Sequence, residues 1–373
     1  MFEFDESVIE YLKFERGLSD AEIVEFSKDF NALNDAERSY AIYKIVGESL
    51  YKEYPVDIET FIFDPYFLGN IYGDIIFPMW VDVLKQIYPA PFCKRYNEVL
   101  LSCATRSGKS TVSVISALYE LYLLLCMISP SKTLNIKNNA NICFIFLSKD
   151  NPTACSQLGE DMHKGLTQSP YFVDVITNNL SFSNLDKKGV QVTKNILLKA
   201  GSSVNVITGT DLLFGVLDEA NMPSPKIADE RLVETRTKLY TAMVDRRNAT
   251  FSKAPAQTGM MILCSSPMDE GDVIGERINL VKDNDVPNVF ILDNIPRWEA
   301  RNEHSDDTFA FFLGNNTQDP CIIEETDVDI NELDENKIIY VPRTVEYMTQ
   351  FRTDPRLAIQ EVAGRRTVAE NAF

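Results

Sequence analysis

The stretch ATRSGKST, residues 104–111, has the residue types and spacing of a phosphate-binding loop. It follows the apolar segment EVLLSC, Glu98–Cys103, and leads into a long apolar segment with helical periodicity, Lys109–Met127. Backbone N–H groups of such a loop, at the positive end of the helix dipole, bind phosphate. Lys109 is placed to reach the β- and γ-phosphates, and Ser110 to offer its hydroxyl to Mg²⁺. The strand–loop–helix order therefore predicts a site for a nucleoside triphosphate.

Two positions of this loop differ from the usual pattern G-x-x-x-x-G-K-[ST]. Cys103 stands where the first glycine is usual, and Arg106 lies inside the loop. A guanidinium carries five donors in a rigid fork that suits phosphate oxygens, so Arg106 is a candidate phosphate ligand. The alternative for Arg106 is an ordinary arginine on a surface loop. We expect the nucleotide to contact the residues of the loop, namely Cys103, Ala104, Thr105, Arg106, Ser107, Gly108, Lys109, Ser110 and Thr111.

A second apolar segment, LLFGVLDEAN, ends in two adjacent carboxylates, Asp218 and Glu219. Ligands of a parallel sheet bind at the carboxyl ends of its strands, so these carboxylates are expected beside the loop. Asp218 is expected to hold Mg²⁺ together with Ser110. Glu219 is expected to orient and activate the water that attacks the γ-phosphate. Because a hydrolase needs such a base and a phosphotransferase must exclude water, the pair favours ATP hydrolysis.

A third apolar segment, MMILCSSP, ends in Ser265 and Ser266. Small hydroxyl side chains at a strand end beside the γ-phosphate are candidates for sensing its presence and for coupling the site to motion. A plain exit from a strand into a turn is the alternative interpretation.

Short apolar runs alternate with helical segments from residue 97 onward, which predicts an α/β fold with a mostly parallel central sheet flanked by helices. The N-terminal region has helical periodicity and a capping-box start at Ser19, with a similar start at Asn34. The run 302–336 contains eleven Asp or Glu and no Lys or Arg, so it is predicted to be a solvated, mobile surface loop. The predicted strands are Glu98–Cys103, Asn141–Leu147, Ile196–Lys199, Ser203–Ile207, Phe214–Leu217, Met260–Cys264 and Asn288–Leu292. The predicted helices of this part are Lys109–Met127 and Thr153–Leu166.

Composition narrows the classes of function. The formal net charge of −19 argues weakly against nucleic-acid binding, because screening at physiological salt acts over about 8 Å and a local basic rim can hold DNA. Seven scattered cysteines without a C-x-x-C pair argue against a zinc ribbon or a disulfide framework and fit a reducing cytoplasm. With two histidines, a zinc site or a Ser-His-Asp triad is a poor candidate. The apolar run Leu121–Ile128 is much shorter than the roughly 20 residues of a membrane helix.

In order and spacing, the three motifs resemble those of the ATPase domain of the large terminase subunit, the DNA-packaging motor of tailed bacteriophages and herpesviruses. The features are ATRSGKST with its internal arginine, the strand that ends in DEA, and ILCSSP. SPYF and the closing VPRTVEYMTQFRTDPRLAIQEVAG are also similar to stretches of phage terminases. The resemblance covers roughly residues 60–370 and implies a P-loop NTPase of the additional-strand (ASCE, RecA-like) type.

The resemblance implies two arginine roles. Arg106 is expected to sense the γ-phosphate within its own subunit, and an arginine from a neighbouring subunit is expected to complete each site. Such an arginine stabilises transition-state charge and is worth about 10³–10⁵ in rate. Arg246 and Arg247 are the favoured candidates, Arg231 and Arg236 are the alternatives, and ordinary surface ion pairing is the competing interpretation.

The base pocket is less well marked. Members of the family often carry a glutamine upstream of the loop, and Trp80 of FPMW stands at the corresponding place in this chain. Trp80 either stacks on adenine or belongs to the core, and the core is the expectation. The departure leaves base specificity open.

The resemblance implies a motor that uses ATP and Mg²⁺ to move double-stranded DNA through the portal protein into a procapsid, with the small terminase subunit as a partner. The working form is expected to be a homo-oligomeric ring, a pentamer, in the host cytoplasm and without membrane association. A nuclease domain follows the ATPase domain in this family, and nuclease activity is not expected from this chain. The expected division is a helical region at 1–58, the ATPase core at 59–300, and an acidic loop with a helical lid or linker at 301–373.

Three alternatives remain open. A helicase or another nucleic-acid-dependent ATPase would need a second RecA-like lobe with arginines, and the acidic tail argues against one. A small-molecule kinase is disfavoured by the DE pair. A nucleotide-binding scaffold without hydrolysis is disfavoured by intact Lys109, Asp218 and Glu219.

Overall fold

The computed structural model describes most of the chain with a few gaps. The described residues are 9, 12–13, 18–44, 51–91, 93–138, 140–176, 178, 180–182, 185–186, 188–223, 231–251, 258–315, 317–326, 330 and 333–367. The first residues of the N-terminal region and part of the segment that follows Asn34 lie outside the described residues. The helices are α1 (Asp20–Ala32), α2 (Asp35–Ile42), α3 (Ile58–Phe63), α4 (Pro78–Ile87), α5 (Lys109–Cys126), α6 (Pro130–Thr133), α7 (Asn151–Thr153), α8 (Glu160–Gln168), α9 (Pro170–Val175), α10 (Leu232–Thr250), α11 (Val273–Asp283), α12 (Arg297–Ala300), α13 (Val345–Thr353) and α14 (Pro355–Glu361).

The two N-terminal helices begin as their sequence predicts. At α1, the Ser19 hydroxyl accepts from the backbone N–H of Glu22, and the Glu22 carboxylate accepts from the backbone N–H of Ser19. Asn34 and Glu37 form the same reciprocal cap at α2. Each cap satisfies backbone donors that the first turn of a helix leaves without partners.

Seven strands form a mixed, mostly parallel sheet in the order β3-β4-β2-β5-β6-β1-β7. Only β3, at one edge, pairs antiparallel, with β4. The strands among the described residues are β1 (Glu98–Cys103), β2 (Ile142–Leu147), β3 (Val190–Thr193), β4 (Ile196–Gly201), β5 (Asp211–Leu217), β6 (Met260–Ser265), β7 (Val289–Ile295), β8 (Thr308–Phe312), β9 (Cys321–Ile322) and β10 (Ile338–Pro342).

The placement of β6 confirms the predicted fold class. It lies between β1, which leads into the phosphate-binding loop, and β5, which ends at the carboxylate pair, and it is parallel to both. An extra strand between these two defines the additional-strand class that the motifs implied. Because β1, β5 and β6 run in the same direction, their carboxyl ends meet at one edge of the sheet, where the three motifs lie.

Helices cover both faces of the sheet, as its continuously apolar strands require. The central helix α5 is apolar on all sides because it packs under the sheet and among the flanking helices, and most of its residues are buried. By length and composition alone it would pass for a membrane span, yet 83% of its 18-residue window is buried inside the fold. Its composition is therefore that of a core helix.

One predicted strand is wrong. Ser203–Ile207 contains a single 3-10 turn at Val204–Val206 instead of a strand. The segment lies on the connection from β4 to β5, which must pass over β2 because β2 is hydrogen-bonded to both. No sheet edge is available to the segment there, so its alternating apolar residues do not pair.

The interpretation of residues 302–336 as a solvated loop is also wrong for much of the run. Strands β8, β9 and β10 form a separate three-stranded antiparallel sheet in the order β10-β8-β9. Phe309 and Phe311 of β8 are fully buried, and Phe351 of α13 packs on both. The carboxylates of the described part of the run lie outside β8 and β9. The run therefore contributes strands to a small hydrophobic core in spite of its many carboxylates. The helices of this core, α13 and α14, agree with the helical tail predicted from the sequence.

Candidate functional site

The phosphate-binding loop joins the end of β1 at Cys103 to the start of α5. Arg106 and Gly108 adopt left-handed backbone conformations, with φ angles of 55° and 96°. At Gly108 a Cβ atom would lie 2.8 Å from Nε1 of Trp80, so no side chain fits there. Trp80 Nε1 also donates a hydrogen bond of 2.5 Å to the carbonyl oxygen of Ser107. Trp80 is 1% exposed, which confirms that it belongs to the core and that its indole supports the loop.

The first part of the loop is tied to neighbouring elements. The backbone N–H of Ala104 donates to the carbonyl oxygen of Ile295, at the end of β7, at 2.9 Å. The backbone N–H of Thr105 donates to the carbonyl oxygen of Glu361, at the end of α14, also at 2.9 Å. These two backbone N–H groups are therefore already hydrogen-bonded within the fold. We expect the backbone contacts to phosphate to come from the N–H groups from Arg106 onward.

Lys109 folds back over the loop. Its ammonium donates to the carbonyl oxygens of Cys103 at 2.9 Å and Ala104 at 2.6 Å, and it lies 3.4 Å from the Ser266 hydroxyl. The side chain is 8% exposed, and burial lowers the pKa of Lys109. A buried cation whose nearest partners are neutral oxygens is suited to meet an anion entering the loop.

Ser110 and Asp218 meet as the sequence predicts. The Ser110 hydroxyl donates to Oδ2 of Asp218 at 2.7 Å, and Oδ1 accepts from the backbone N–H of Glu219 at 2.9 Å. The Cys264 thiol, on β6, donates to the same Oδ1 at 3.2 Å, and the pKa of this buried thiol is raised well above its usual value. Asp218 is 2% exposed, so it is held rigidly from three sides.

The donor set of Ser110 and Asp218 fits Mg²⁺, a hard cation that takes oxygen ligands. Within the described ranges, no group of three or more His, Cys, Asp or Glu side chains is arranged to hold a metal by itself. Mg²⁺ in nucleotide sites usually takes one or two protein ligands and completes its shell with phosphates and water.

Glu219 lines the same cavity and has a left-handed φ of 52°. Its Oε2 forms an ion pair of 3.1 Å with Nζ of Lys149, which follows β2. The position of Lys149 is set by Arg236 of α10, whose guanidinium donates to the carbonyl oxygens of Ser148 and Lys149 at 3.1 and 2.9 Å. The buried Arg236 thus supports the residue that contacts the expected base.

This contact predicts a stability effect for Arg236→Ala. Arg236 is fully buried, so its removal leaves a cavity and two carbonyl oxygens without their donor. We expect the free energy of unfolding to fall by about 3 kcal/mol, measured by chemical denaturation. Arg231→Ala, at an exposed position just before α10, is the matched control and should leave the free energy of unfolding unchanged. Equal stability of the two variants would contradict a supporting role for Arg236.

Ser265 and Ser266 lie at the end of β6, beside the loop and the carboxylates. The Ser265 hydroxyl accepts from the backbone N–H of Asn221, and the amide of Asn221 donates to the carbonyl oxygen of Ser266 at 2.9 Å. Oδ1 of Asn221 also accepts from the backbone N–H of Ile274, in α11, at 3.3 Å. Asn221, which was missed from the sequence although it ends the DEAN motif, thus ties the carboxylate turn, β6 and α11 together.

Arg246 and Arg247 lie away from the loop. Nε of Arg246 donates to the carbonyl oxygen of Thr210, immediately before β5, and Nη1 of Arg247 donates to that of Asn97, immediately before β1. Both contacts are at the amino-terminal edge of the sheet, opposite the carboxylate edge. Neither arginine belongs to this chain's own phosphate site, and their role toward a neighbouring subunit stays a prediction.

Two other arginines contact the loop directly and were missed from the sequence. Arg297 of α12 donates through Nε to the carbonyl oxygen of Thr105 at 3.2 Å and through Nη2 to its hydroxyl at 2.9 Å. Nε of Arg301 donates to the carbonyl oxygen of Arg106 at 3.1 Å. Arg297 is 4% exposed, and burial lowers its pKa. The sequence gives little indication of these two contacts. An arginine that donates to a backbone carbonyl oxygen requires no particular residue type at the position it contacts.

Two cavities open beside the loop, and Arg106 lines both. The larger, of about 400 Å³, is lined by Thr105, Arg106, Lys109, Ser110, Ser156, Asp161, Asp218, Glu219, Met222, Ser265 and Ser266. The smaller, of about 250 Å³, is lined by Ile75, Ile76, Phe77, Trp80, Arg106, Gly108, Thr111 and Val112. Of the predicted residues, both carboxylates, both serines and the loop residues Thr105, Arg106, Lys109 and Ser110 line the polar cavity. Gly108 and Thr111 line the mainly apolar cavity next to it, and Cys103, Ala104 and Ser107 line neither.

A family model matches most of this chain. The family model described as the N-terminal P-loop domain of uncharacterized protein MJ0330 matches residues 27–322. No curated protein matches. Solved structures that match include the large terminase of the thermophilic bacteriophage D6E, at 12% identity and a TM-score of 0.37, over 62% of this chain and 48% of that one. The same terminase in complex with ADP matches at 13% identity, with a TM-score of 0.39, over 62% and 48% of the two chains.

The large terminase ATPase domain of Thermus phage P74-26 also matches, at 12% identity and a TM-score of 0.38, over 74% of this chain and 90% of that domain. The chain thus spans about half the length of the D6E terminase. Because the family model covers most of the sequence, this chain belongs to the family of the MJ0330 N-terminal P-loop domain.

Proposed function

We propose that this chain is a magnesium-dependent ATPase that moves double-stranded DNA into a viral procapsid, as the motor domain of a large terminase subunit. The observation that carries the ATPase proposal is the hydrogen bond between Ser110 and Asp218, with Glu219 and Lys109 lining the same cavity. This arrangement provides phosphate binding, metal binding and a base within one polar cavity.

Binding falls to the loop. The backbone N–H groups from Arg106 onward and the ammonium of Lys109 receive the triphosphate, while Ser110 and Asp218 hold Mg²⁺. The bound metal supplies positive charge that offsets the charge developing on the phosphates. Lys109 exchanges its contacts with the carbonyl oxygens of Cys103 and Ala104 for phosphate oxygens.

Hydrolysis falls to Glu219. Its carboxylate orients a water molecule and takes one proton as the water oxygen bonds to the γ-phosphorus and the bond to the β-phosphate oxygen breaks. The ion pair between Glu219 and Lys149 keeps the carboxylate in place before substrate binds. Arg106, which lines both cavities, senses the γ-phosphate. Ser265 and Ser266 pass the state of the site through Asn221 to α11.

The DNA-packaging role is supported by the motif order that resembles large terminases. This role implies four partners, namely double-stranded DNA, the portal protein, the procapsid and the small terminase subunit. It also implies that the working form is a homo-oligomeric ring, a pentamer, in the host cytoplasm. In such a ring an arginine from the neighbouring subunit, Arg246 or Arg247 by expectation, completes each site.

The test is ATP turnover measured at increasing protein concentration, with and without linear double-stranded DNA. A ring with shared sites gives turnover that rises faster than linearly with protein and that DNA stimulates. Turnover strictly proportional to protein and indifferent to DNA would contradict a shared-site motor. Separation of a forked duplex would favour a helicase, and transfer of the γ-phosphate to an acceptor metabolite would favour a kinase.

A further inference from the structure

Positive charge is concentrated in two segments of this acidic chain. Residues 121–149 and 187–210 contain seven Lys and no Asp or Glu, although the chain as a whole carries a net charge of −19. The first segment leads into β2, and the second contains the turn between β3 and β4. Both therefore bring lysines to the amino-terminal edge of the sheet, opposite the edge at which the phosphate-binding loop and the carboxylates lie.

Two of these lysines lie next to each other at that edge. Lys137 precedes β2, and Lys194 is in the turn that leads into β4; both are exposed. The side-chain amide of Asn195 donates to the carbonyl oxygen of Asn138 at 3.0 Å. This hydrogen bond joins the residue after Lys194 to the residue after Lys137, so the two ammonium groups belong to the same part of the surface.

Arg246 and Lys199 extend this group of cations. Nε of Arg246 donates to the carbonyl oxygen of Thr210, just before β5, which is the neighbour of β2 in the sheet. Lys199 is half-buried on β4. Burial raises the pKa of the Cys143 thiol to about 11, and the nearby charges of Lys199 and Arg246 act to lower it. Both cations therefore lie near the start of β2. We define the basic patch as Lys137, Lys194, Lys199 and Arg246.

The charges of the basic patch are available to a partner. Among the described residues, no hydrogen bond or ion pair holds the ammonium groups of its three lysines, and the contact of its arginine with Thr210 uses Nε alone. Asp211, half-buried at the start of β5, is an acidic neighbour of the patch. Asp245 lies near Arg277 of α11. One adjacent carboxylate does not neutralise four cations, so the patch stays positive.

The basic patch fits a nucleic-acid backbone better than a protein. In the described parts of 132–141, 188–199 and 244–248, which carry the patch, no large apolar side chain is exposed, whereas protein interfaces have an apolar centre. The strands β4, β2 and β5 are adjacent, so the patch spans two strand spacings, about 10 Å. Duplex DNA carries one negative charge per about 1.7 Å of its axis, so several phosphates lie opposite a patch of this size.

We infer that the basic patch binds the phosphate backbone of double-stranded DNA without reading the base sequence. The inference rests on the proposed function, which gives double-stranded DNA as a partner, and it assigns the surface that contacts the DNA. The acidic remainder of the chain does not prevent binding, because salt screens charges beyond about 8 Å. Strand β5 begins beside Arg246 and ends just before Asp218, so a single strand joins the DNA surface to the ATP site.

The test is binding of a short duplex DNA by the full chain without nucleotide, measured by fluorescence anisotropy over a range of salt concentrations. One variant combines Lys137→Gln, Lys194→Gln and Lys199→Gln. Loss of three phosphate contacts should weaken binding about 100-fold at about 0.15 M salt and reduce the slope of log affinity against log salt concentration by about 2 to 3. A second duplex of unrelated sequence should bind equally, because backbone contacts carry no sequence information.

The control variant removes three exposed lysines outside the patch, by Lys28→Gln, Lys85→Gln and Lys238→Gln, and so has the same net charge. It should bind the duplex as wild type does. Replacing the three patch lysines with arginine keeps their charge and should also preserve wild-type affinity. Equal affinities of the two glutamine variants would overturn the inference, as would loss of binding in the arginine variant. Polyglutamate that competes as well as duplex DNA would overturn it in favour of an acidic protein partner.

The results also separate this inference from the proposed function. If the patch lysines set DNA affinity but duplex DNA leaves ATP turnover of the wild type unchanged, the inference stands and the packaging proposal fails. If the wild type binds no duplex DNA, the inference and the packaging proposal both fail. ATP turnover without DNA would in that case leave the ATPase proposal standing.

Discussion

Replacing Glu219 with glutamine should lower ATP turnover by about 10²–10⁴ while leaving ATP binding nearly unchanged. Glutamine has the size of glutamate and still orients water, but it does not accept a proton at neutral pH. The phosphate ligands Lys109 and Ser110 and the expected metal ligand Asp218 are untouched, so binding persists. Turnover is measured by phosphate release, and binding by titration with a non-hydrolysable ATP analogue.

The control for this variant is a second glutamate in an ion pair outside the site. Glu59 pairs with Lys85 at 2.7 Å and lines neither of the two loop cavities, so Glu59→Gln removes a comparable contact and should keep full turnover. Turnover of Glu219→Gln within about threefold of wild type, a change too small for the loss of a general base, would assign the base to another residue. Loss of turnover and of analogue binding together would give Glu219 a structural role at the loop.

The elements that carry the motifs could be predicted from the sequence, because each motif is local. A strand, a loop and a helix follow one another at β1, the loop and α5, so their residue types and spacing already contain the geometry. The same holds for β5, which ends at Asp218, and for β6, which ends at Ser265. That Ser110 and Asp218 meet at 2.7 Å follows from these strands being parallel and close in the sheet.

What could not be predicted depends on contacts between distant parts of the chain. Arg297 and Arg301 bind loop carbonyls of Thr105 and Arg106, and such a contact places no demand on the residue types of the loop. Asn221 is a similar case, since it joins three elements by hydrogen bonds to backbone groups and hydroxyls. Residue types predict partners best when both partners are side chains of opposite charge or complementary chemistry.

The acidic run 302–336 is a case in which the sequence predicts a loop and the structure has strands. The charge density of 302–336 predicts a solvated loop, although FAFF in β8 is an apolar run without a charged residue. A strand of this length, with a two-residue partner, has little sequence to mark it. Burial of Phe309 and Phe311 against α13 stabilises the small sheet, and the helices that bury them lie beyond the run itself. The strand character of β8 therefore depends on helices that lie outside the acidic run.

Replacing Lys109 with methionine should weaken nucleotide binding roughly 100-fold without lowering stability. The lost ammonium is expected to contact the β- and γ-phosphates, and the loss of two charged hydrogen bonds corresponds to roughly 100-fold weaker binding. Burial lowers the pKa of Lys109, which means that its charged form is less favourable in the folded chain than in the unfolded one. Methionine removes that unfavourable charge and keeps most of the side-chain volume, which offsets the loss of the donor to the carbonyl oxygens of Cys103 and Ala104. The free energy of unfolding should therefore stay within about 1 kcal/mol of wild type.

Binding of an ATP analogue and chemical denaturation of the same variant check the two halves of this prediction. Lys85→Met, which removes a lysine from a surface ion pair, is the control and should change neither quantity by much. A fall of several kcal/mol in the free energy of unfolding of Lys109→Met would mean that the contacts with Cys103 and Ala104 hold the empty loop together. Retained binding would mean that the loop accepts phosphate mainly through its backbone N–H groups. Weak binding with undiminished stability is the result expected of a residue kept for its ligand, because a buried lysine with only neutral partners contributes little to the fold by itself.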